Sequence, residues 1–187
     1  MSKIKVFSLG GLNENGKNMY VVNVDDKHIF VFDAGLKYGN SKMLGVDYIV
    51  PNIDYLVQNK DKIEGIFLTH GHDSNMGGIS DVLSVLPDVT VYATKFTMEI
   101  VKTNLLESGI KKAKLKEIRP HSKLVFKDNL TIFPISITHS IPDSVAYVLY
   151  TKDGAIVYTG DFVFDSTMMG PYKTDIGKLA YVGKQGV

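Results

Sequence analysis

The first third of the chain consists of short apolar runs separated by polar turns, a pattern typical of β-strands. The apolar runs predict strands over residues 4–9, 19–24 and 28–33. A turn at residues 25–27 joins the last two strands, and a loop covers residues 35–51. A short helix is then indicated, because Ile53, Leu56 and Val57 share one helical face.

The middle of the chain changes to a helical period and the last third returns to strands. Residues 66–68 form a continuous apolar run, which is typical of a strand buried on both faces. Two helices are predicted around a strand, and two hairpins and a helix follow. These later elements are the helix at 79–86, the strand at 89–93, the helix at 95–108 ended by Gly109, a hairpin around Asp128-Asn129, a hairpin with a type I′ turn at Asp153-Gly154, and a helix from residue 176. This order predicts a mixed α/β fold.

Composition narrows the class of protein. The chain has 187 residues, a length that suits one domain or a large piece of one. Lys+Arg 21 against Asp+Glu 20 is a balanced charge, which gives no strong nonspecific attraction to nucleic acid. Cysteine is absent, which excludes disulfide scaffolds, thiolate zinc sites and cysteine nucleophiles and fits a reducing cytoplasm. No run is apolar enough for a signal peptide or a membrane span. We therefore expect a cytoplasmic protein without membrane contact.

Two of the five histidines form a pair that suits a metal. His70 and His72 follow the predicted strand at 66–68, and residues two apart in an extended segment point the same way. His139 and Asp161 each close a later strand. Three imidazoles and a carboxylate at strand ends make a plausible zinc or manganese site. The alternative for His70 and His72 is hydrogen bonding to neighbouring backbone.

The other two histidines have no such context. His28 lies in a predicted hairpin beside Lys27, and His121 lies in a polar loop. We expect both imidazoles to face water.

Residues 67–78, FLTHGHDSNMGG, resemble the H-x-H-x-D-H signature of metallo-β-lactamase-fold hydrolases. The flanking segments are similar to those of one family in that group, bacterial ribonuclease J. They are LGG with ENGKNM over residues 9–19, VFDAG at 31–35, MLGVD at 43–47, THSIPDS at 138–144 and TGDF at 159–162. These motifs occur in the order of the family and extend over nearly the whole chain.

The resemblance implies an αββα metallo-β-lactamase sandwich and an RNA substrate. It implies that His70, His72 and His139 bind the first metal ion, zinc or manganese, and that Asp161 bridges to a second. Asp33 would hold a ligand histidine in the required tautomer. Residues 1–187 would form the N-terminal part of the metallo-β-lactamase domain, with the family's β-CASP insertion and C-terminal domain outside this chain.

The sequence departs from the family at two positions, because Ser74 and Asn75 stand where the pattern has Asp and His. Neutral hydroxyl and amide groups are poor ligands for borderline divalent ions, so we expect at most one ion. Asp73 is a candidate for a replacement ligand or catalytic group. The competing interpretation is that Ser74 or Asn75 caps a helix that begins at Met76.

The substitution pattern resembles the second, motif-degenerate paralogue of the family in Gram-positive bacteria. It implies an RNA-degrading or RNA-processing protein, from a family of 5′-to-3′ exonucleases and endonucleases, that is weakly active or inactive alone. Such a protein would act as a partner subunit of an active paralogue, in a homo- or hetero-oligomer. The alternatives are a fully working metal-dependent ribonuclease and a small-molecule ester or thioester hydrolase of the same fold.

Two further motifs stay open between function and structure. Ser140 and Ser144 either contact phosphate or order the segment around His139. The lysines between residues 111 and 116 form either a solvated surface or a contact to the RNA backbone.

Overall fold

The computed structural model describes all 187 residues and contains twelve β-strands and five α-helices. In chain order they are β1 (Ile4–Gly10), β2 (Met19–Val24), β3 (His28–Phe32), β4 (Lys37–Tyr38), β5 (Tyr48–Ile49), α1 (Asp54–Gln58), β6 (Ile63–Phe67), α2 (Asp73–Met76), α3 (Ile79–Val85), β7 (Thr90–Thr94), α4 (Lys95–Glu107), β8 (Lys114–Ile118), β9 (Leu124–Val125), β10 (Thr131–Ser136), β11 (Val145–Thr151), β12 (Gly154–Tyr158) and α5 (Ile176–Lys184).

The strands form two main sheets. The first has the order β1-β2-β3-β6-β7-β8, in which β1, β2 and β3 are antiparallel neighbours and β3, β6, β7 and β8 run parallel. The second has the order β12-β11-β10-β9 and is antiparallel throughout. Helical crossovers such as α3 and α4 connect the parallel strands, as this topology demands.

Alternation along the central strand β3 defines the layers of the molecule. Ile29 and Val31 point to one face and pack beneath the helices, while Phe30 and Phe32 point to the other face. Phe32 meets Tyr147 of β11, with ring centroids 5.9 Å apart, so the second sheet packs directly on the first. Because β3 is covered on both sides, every residue from His28 to Phe32 is buried.

Helices complete the two outer layers. Residues of α1, α3 and α4 bury Leu56, Val82 and Val101 against the first sheet, and Val182 of α5 packs on the outer face of the second. The result is a helix–sheet–sheet–helix sandwich, which confirms the predicted fold class. None of the helices combines the length and apolar character that crossing a bilayer requires.

Most predicted elements are present, but local details differ. Residues 114–118 form the edge strand β8, so part of the basic run lies on a sheet edge, where lysine discourages pairing with other chains. The last hairpin forms as predicted, but its loop residues are Lys152 and Asp153, because Thr151 pairs with Gly154. The positive φ, 138°, is at Gly154 alone, so the predicted type I′ turn is wrong.

The expectation of a solvated His28 is also wrong, because this imidazole is buried between the two sheets. Its Nδ1 lies 2.6 Å from Oε1 of Glu64 on β6, and its Nε2 lies 2.9 Å from Oδ2 of Asp128 before β10. Desolvation opposes protonation of His28, but the hydrogen bonds to the two carboxylates outweigh it and raise its pKa. Both ring nitrogens can donate to these carboxylates only when the imidazole is protonated, and in that form His28 links the first sheet to the second.

We expect the link through His28 to make stability depend on pH. Since the folded pKa is raised above the unfolded value of about 6.5, the contribution is fully present below that value and is lost as pH rises through the folded pKa. At about pH 5.5, His28→Gln is expected to lower the free energy of unfolding by ~1–3 kcal/mol. Urea denaturation at about pH 5.5 and pH 8.5 measures the free energy of unfolding of both proteins. The difference between the unsubstituted protein and His28→Gln should be smaller at the higher pH.

His121→Gln is the matched control, because the His121 side chain is 38% exposed and approaches only one carboxylate, that of Asp175 at 3.3 Å. Its effect on unfolding should stay within about 0.5 kcal/mol at both pH values. A loss for His28→Gln that grows with pH would contradict the assigned charge state.

Candidate metal centre

The candidate ligands meet because several strands end at one edge of the sandwich. β3 and β6 are parallel, and Phe32 pairs with Phe67, so the residues after both strands emerge side by side. The segment after β6 carries His70 and His72, and the residue after β3 is Asp33. His139 and Asp161 each lie three residues beyond the ends of β10 and β12 rather than on the strands themselves.

The structure brings three imidazoles together. The ligand atoms of His70, His72 and His139 all lie within 4.8 Å of one another. Ring centroids are 4.5 Å apart for His70 and His139 and 4.8 Å for His70 and His72. Nε2 of His139 approaches Nδ1 of His72 at 3.1 Å. Three nitrogen donors in this arrangement suit a zinc or manganese ion.

Two of these imidazoles carry buried nitrogens without a hydrogen-bond partner, Nε2 of His70 and Nδ1 of His139. A buried polar atom without a partner normally costs about 1–3 kcal/mol. A metal ion would satisfy the lone pair on His70 Nε2, which is the atom that faces the cluster. The residues present therefore fit a divalent cation.

The hydrogen bond at Nδ1 of His70 determines which ring nitrogen is available to a metal ion. Nδ1 of His70 lies 2.9 Å from the hydroxyl of Thr69, and that hydroxyl lies 2.9 Å from Oδ1 of Asp33. In its ionised form the Asp33 carboxylate only accepts, so Thr69 donates to Asp33 and His70 Nδ1 donates to Thr69. The proton is thus on Nδ1, and Nε2 keeps its lone pair.

The electrostatics of the cluster favour neutral imidazoles. Burial, together with the neighbouring His139 and His72, lowers the pKa of His70 to about 3. The pKa of His139 is lowered by burial and by His72, against the opposing effect of Asp161. Neutral imidazole is the form that binds a metal.

Asp161 lies at the rim of the cluster and not within it. Its Oδ2 is 4.0 Å from Nε2 of His70, and its side chain is 53% exposed. The turn that places it requires Gly160, whose φ is +60° and whose Cβ position lies 2.9 Å from the side chain of Thr69. The structure therefore brings the predicted carboxylate near the three imidazoles without joining it to them.

Asp33 lies beneath the cluster, fully buried, at a positive φ of 62°. It contacts no histidine directly, since Thr69 stands between it and His70. Its carboxylate accepts hydrogen bonds from Thr69, from Nδ2 of Asn75 at 2.8 Å and from the hydroxyl of Tyr158 at 2.8 Å. Burial raises the pKa of Asp33 to about 7, although all these hydrogen bonds favour the charged form.

The two departures from the family pattern lie inside a short helix. α2 begins at Asp73 after His72, and no side chain caps it, so the predicted capping role of Ser74 or Asn75 and the start at Met76 are wrong. Asn75 is completely buried, and its Oδ1 accepts from Ser74 Oγ at 2.6 Å. Since Asp33 must receive the NH₂ group, the amide oxygen of Asn75 faces Ser74.

Asp73 is directed away from the imidazoles. Its Oδ2 accepts a hydrogen bond from the hydroxyl of Tyr38 on β4, at 2.5 Å. The carboxylate therefore ties α2 to the small β4–β5 ribbon, and the geometry gives it no contact with the cluster.

The two serines near His139 differ in accessibility. Ser140 is exposed, with its hydroxyl 3.5 Å from Nε2 of His72. Ser144 is buried, and its hydroxyl donates to the backbone carbonyl of Ile141 at 3.1 Å. Only Ser140 is therefore presented beside the imidazoles, while Ser144 orders the segment after His139.

Sequence reasoning did not identify Thr69 and Tyr158 as parts of the site. Both are unremarkable strand-end residues, and only the fold shows that their hydroxyls converge on Asp33. The one available signal is position, because Thr69 directly precedes the histidine pair and Tyr158 precedes the turn to Asp161.

Comparison with known proteins agrees with this architecture. Residues 28–176 match the family model described as a beta-lactamase superfamily domain. Among solved structures, a protein of unknown function from Enterococcus faecalis V583 superposes with a TM-score of 0.67 at 16% identity, over 86% of this chain and 44% of that one. Zinc-bound PqqB from Methylobacterium extorquens superposes with a TM-score of 0.60 at 14% identity, over 81% and 55% of the two chains. These two similarities show the fold alone.

A curated sequence relative is considerably more similar. A Staphylococcus aureus protein named Ribonuclease J 2 is 45% identical over 185 residues, which is 98% of this chain. The chain spans 33%, about a third, of the length of that relative. The chain therefore belongs to the beta-lactamase superfamily, and the relative confirms its predicted similarity to ribonuclease J.

Proposed function

We propose that this chain is the metal-binding part of a ribonuclease J-type RNA-processing protein that holds a single zinc or manganese ion. The ion would be bound by His70, His72 and His139, with Asp161 beside it. The observation that carries this proposal is the unpartnered, buried Nε2 of His70 in a cluster of three imidazoles. The similarity to the Staphylococcus aureus relative supports RNA as the substrate.

The proposal of one ion rests on the direction of the Asn75 side chain. Its NH₂ group donates to Asp33 and its oxygen accepts from Ser74, so both ends are engaged in hydrogen bonds. Neither the amide of Asn75 nor the hydroxyl of Ser74 carries charge, and neither offers a nitrogen lone pair to a metal. A second ion would have to break this buried arrangement and would gain only weak ligands.

A metal ion at the three imidazoles supplies Lewis acidity, which polarises a bound water or a phosphate oxygen. The chain itself contributes the geometry: Thr69 and Asp33 orient His70, and Ser140 stands exposed beside His72 within reach of a phosphate. A second ion ordinarily shares the attacking oxygen and stabilises the leaving oxygen. Without it, we propose low turnover and a role as partner subunit of an active paralogue.

The metal content of the protein tests the site directly. We expect about one equivalent of zinc or manganese by elemental analysis, both for this chain and for the full-length protein. His70→Ala and His139→Ala should each abolish binding, because three donors fall to two. His121→Ala is the matched control and should retain the ion, since it lies outside the cluster. Two equivalents in the unsubstituted protein would contradict the single-ion proposal.

Turnover of RNA tests the impaired site. The full-length protein should degrade 5′-monophosphorylated RNA weakly in manganese or zinc. The double substitution Ser74→Asp with Asn75→His should bind a second ion and raise turnover by ~10²-fold, the scale of a lost electrostatic partner. The single change Ser74→Asp is the control, because it leaves the imidazole missing.

Two results of that assay would overturn parts of the proposal. Turnover of the unsubstituted protein near that of a relative with the intact motif would show a fully working ribonuclease. Hydrolysis of a thioester or lactone without RNA cleavage would show a small-molecule hydrolase instead.

Thr69→Val tests the orientation of His70. Valine keeps the shape of threonine but removes the hydroxyl between Asp33 and His70, so the affinity for zinc should fall by ~10–100-fold. Thr69→Ser keeps the hydroxyl and should change the affinity by less than about threefold. Competition with a chelator measures the dissociation constant, and thermal melting confirms that both variants fold. Equal affinities for the two variants would contradict the assigned role.

A further inference from the structure

A groove on the outer face of the second sheet lies apart from the metal cluster. It has a volume of about 480 Å³, a size common for pockets that bind small ligands. It runs between α5 and the outward face of β10 and β11. Its principal lining residues are His121, Lys123, Phe133, Tyr150, Lys178 and Tyr181.

The pleat of the second sheet explains why aromatic rings line this groove. On β10 and β11, Ile132 and Leu149 point inward to the first sheet, so Phe133 and Tyr150 point outward. α5 covers only part of this face, leaving both rings partly accessible. Tyr181 on α5 closes the opposite wall and is 59% exposed. Burial and Tyr181 raise the pKa of Tyr150, consistent with their proximity.

The charge of the groove is one-sided. Lys123 and Lys178 are exposed and form no ion pair anywhere in the chain, and no carboxylate lines the groove. His121 is stacked near Phe133, with ring centroids 6.1 Å apart, and its Nε2 is held by Asp175 at 3.3 Å. Asp175 also caps α5, which fixes this end of the groove.

We propose that this groove binds a nucleoside phosphate, with the base against the aromatic rings and the phosphate beside the two lysines. Aromatic side chains stack on any nucleobase, and ammonium groups attract phosphate as point charges. The ligand is either a free nucleotide or one nucleotide of an RNA strand, since both present the same ring and anion. The site is separate from the metal cluster and does not depend on an ion there.

Binding of AMP and of a 5′-monophosphorylated single-stranded RNA oligomer to the full-length protein tests this site. Calorimetry measures AMP, and fluorescence anisotropy measures a labelled oligomer. Lys123→Glu with Lys178→Glu should weaken binding by about tenfold or more, because two phosphate contacts become repulsive. Tyr181→Ala should weaken it by about five- to tenfold or more, and Tyr181→Phe, which keeps the ring, by less than about twofold.

The matched control reverses the same number of charges outside the groove. Lys184→Glu on α5 with Lys152→Glu changes the net charge equally, but neither residue lines the groove. Loss of AMP affinity in the groove variants alone identifies a nucleotide site, and loss of RNA affinity alone identifies a contact to an RNA strand. Equal losses in groove and control variants, or none in either, would overturn the proposal.

His70→Ala separates this inference from the proposed function. It should abolish metal binding and leave the affinity of the groove for AMP within about twofold, since His70 lies outside the groove. A loss of groove binding in His70→Ala would overturn the independence of the two sites.

Discussion

The buried carboxylate of Asp33 is the interaction on which the site depends. It receives hydrogen bonds from Thr69 after β6, Asn75 in α2 and Tyr158 at the end of β12, so both sheets and a helix are fixed to one group. The chain that follows Asp33 packs closely against α2, because a Cβ atom at Gly35 would overlap the backbone carbonyl of Ser74. Removing a single donor would leave a fully buried carboxyl group with fewer hydrogen bonds, which lowers the stability of the folded state.

This arrangement divides the site into a half that carries the three imidazoles and a half that is closed by hydrogen bonds. On one side, the Thr69 hydroxyl donates to Asp33 and accepts from Nδ1 of His70, so the lone pair on His70 Nε2 is directed at the cluster. On the other, Asn75 donates to the same carboxylate and turns its oxygen to Ser74. Asparagine therefore stabilises α2 against the sheet at a position where a histidine would have a nitrogen to share with a metal.

The sequence predicted the elements that follow from local pattern. The strand before His70 and the H-x-H alternation were enough to place two imidazoles together, because strand periodicity is set by the backbone. His28 was mispredicted, since its partners Glu64 and Asp128 are 36 and 100 residues away and no local pattern shows that a second sheet covers β3. The position of Asp161 at the rim depends on the turn at Gly160, which periodicity does not describe.

Asn75 and His70 are both fully buried, but they differ in whether their polar atoms have hydrogen-bond partners. Asn75 is fully buried and hydrogen-bonded at both ends, so it needs no ligand. His70 is equally buried, but its Nε2 has no partner, and such an atom lowers stability unless something binds it. The histidine cluster therefore keeps a nitrogen lone pair available to a cation, whereas the serine–asparagine pair is satisfied by hydrogen bonds within the fold.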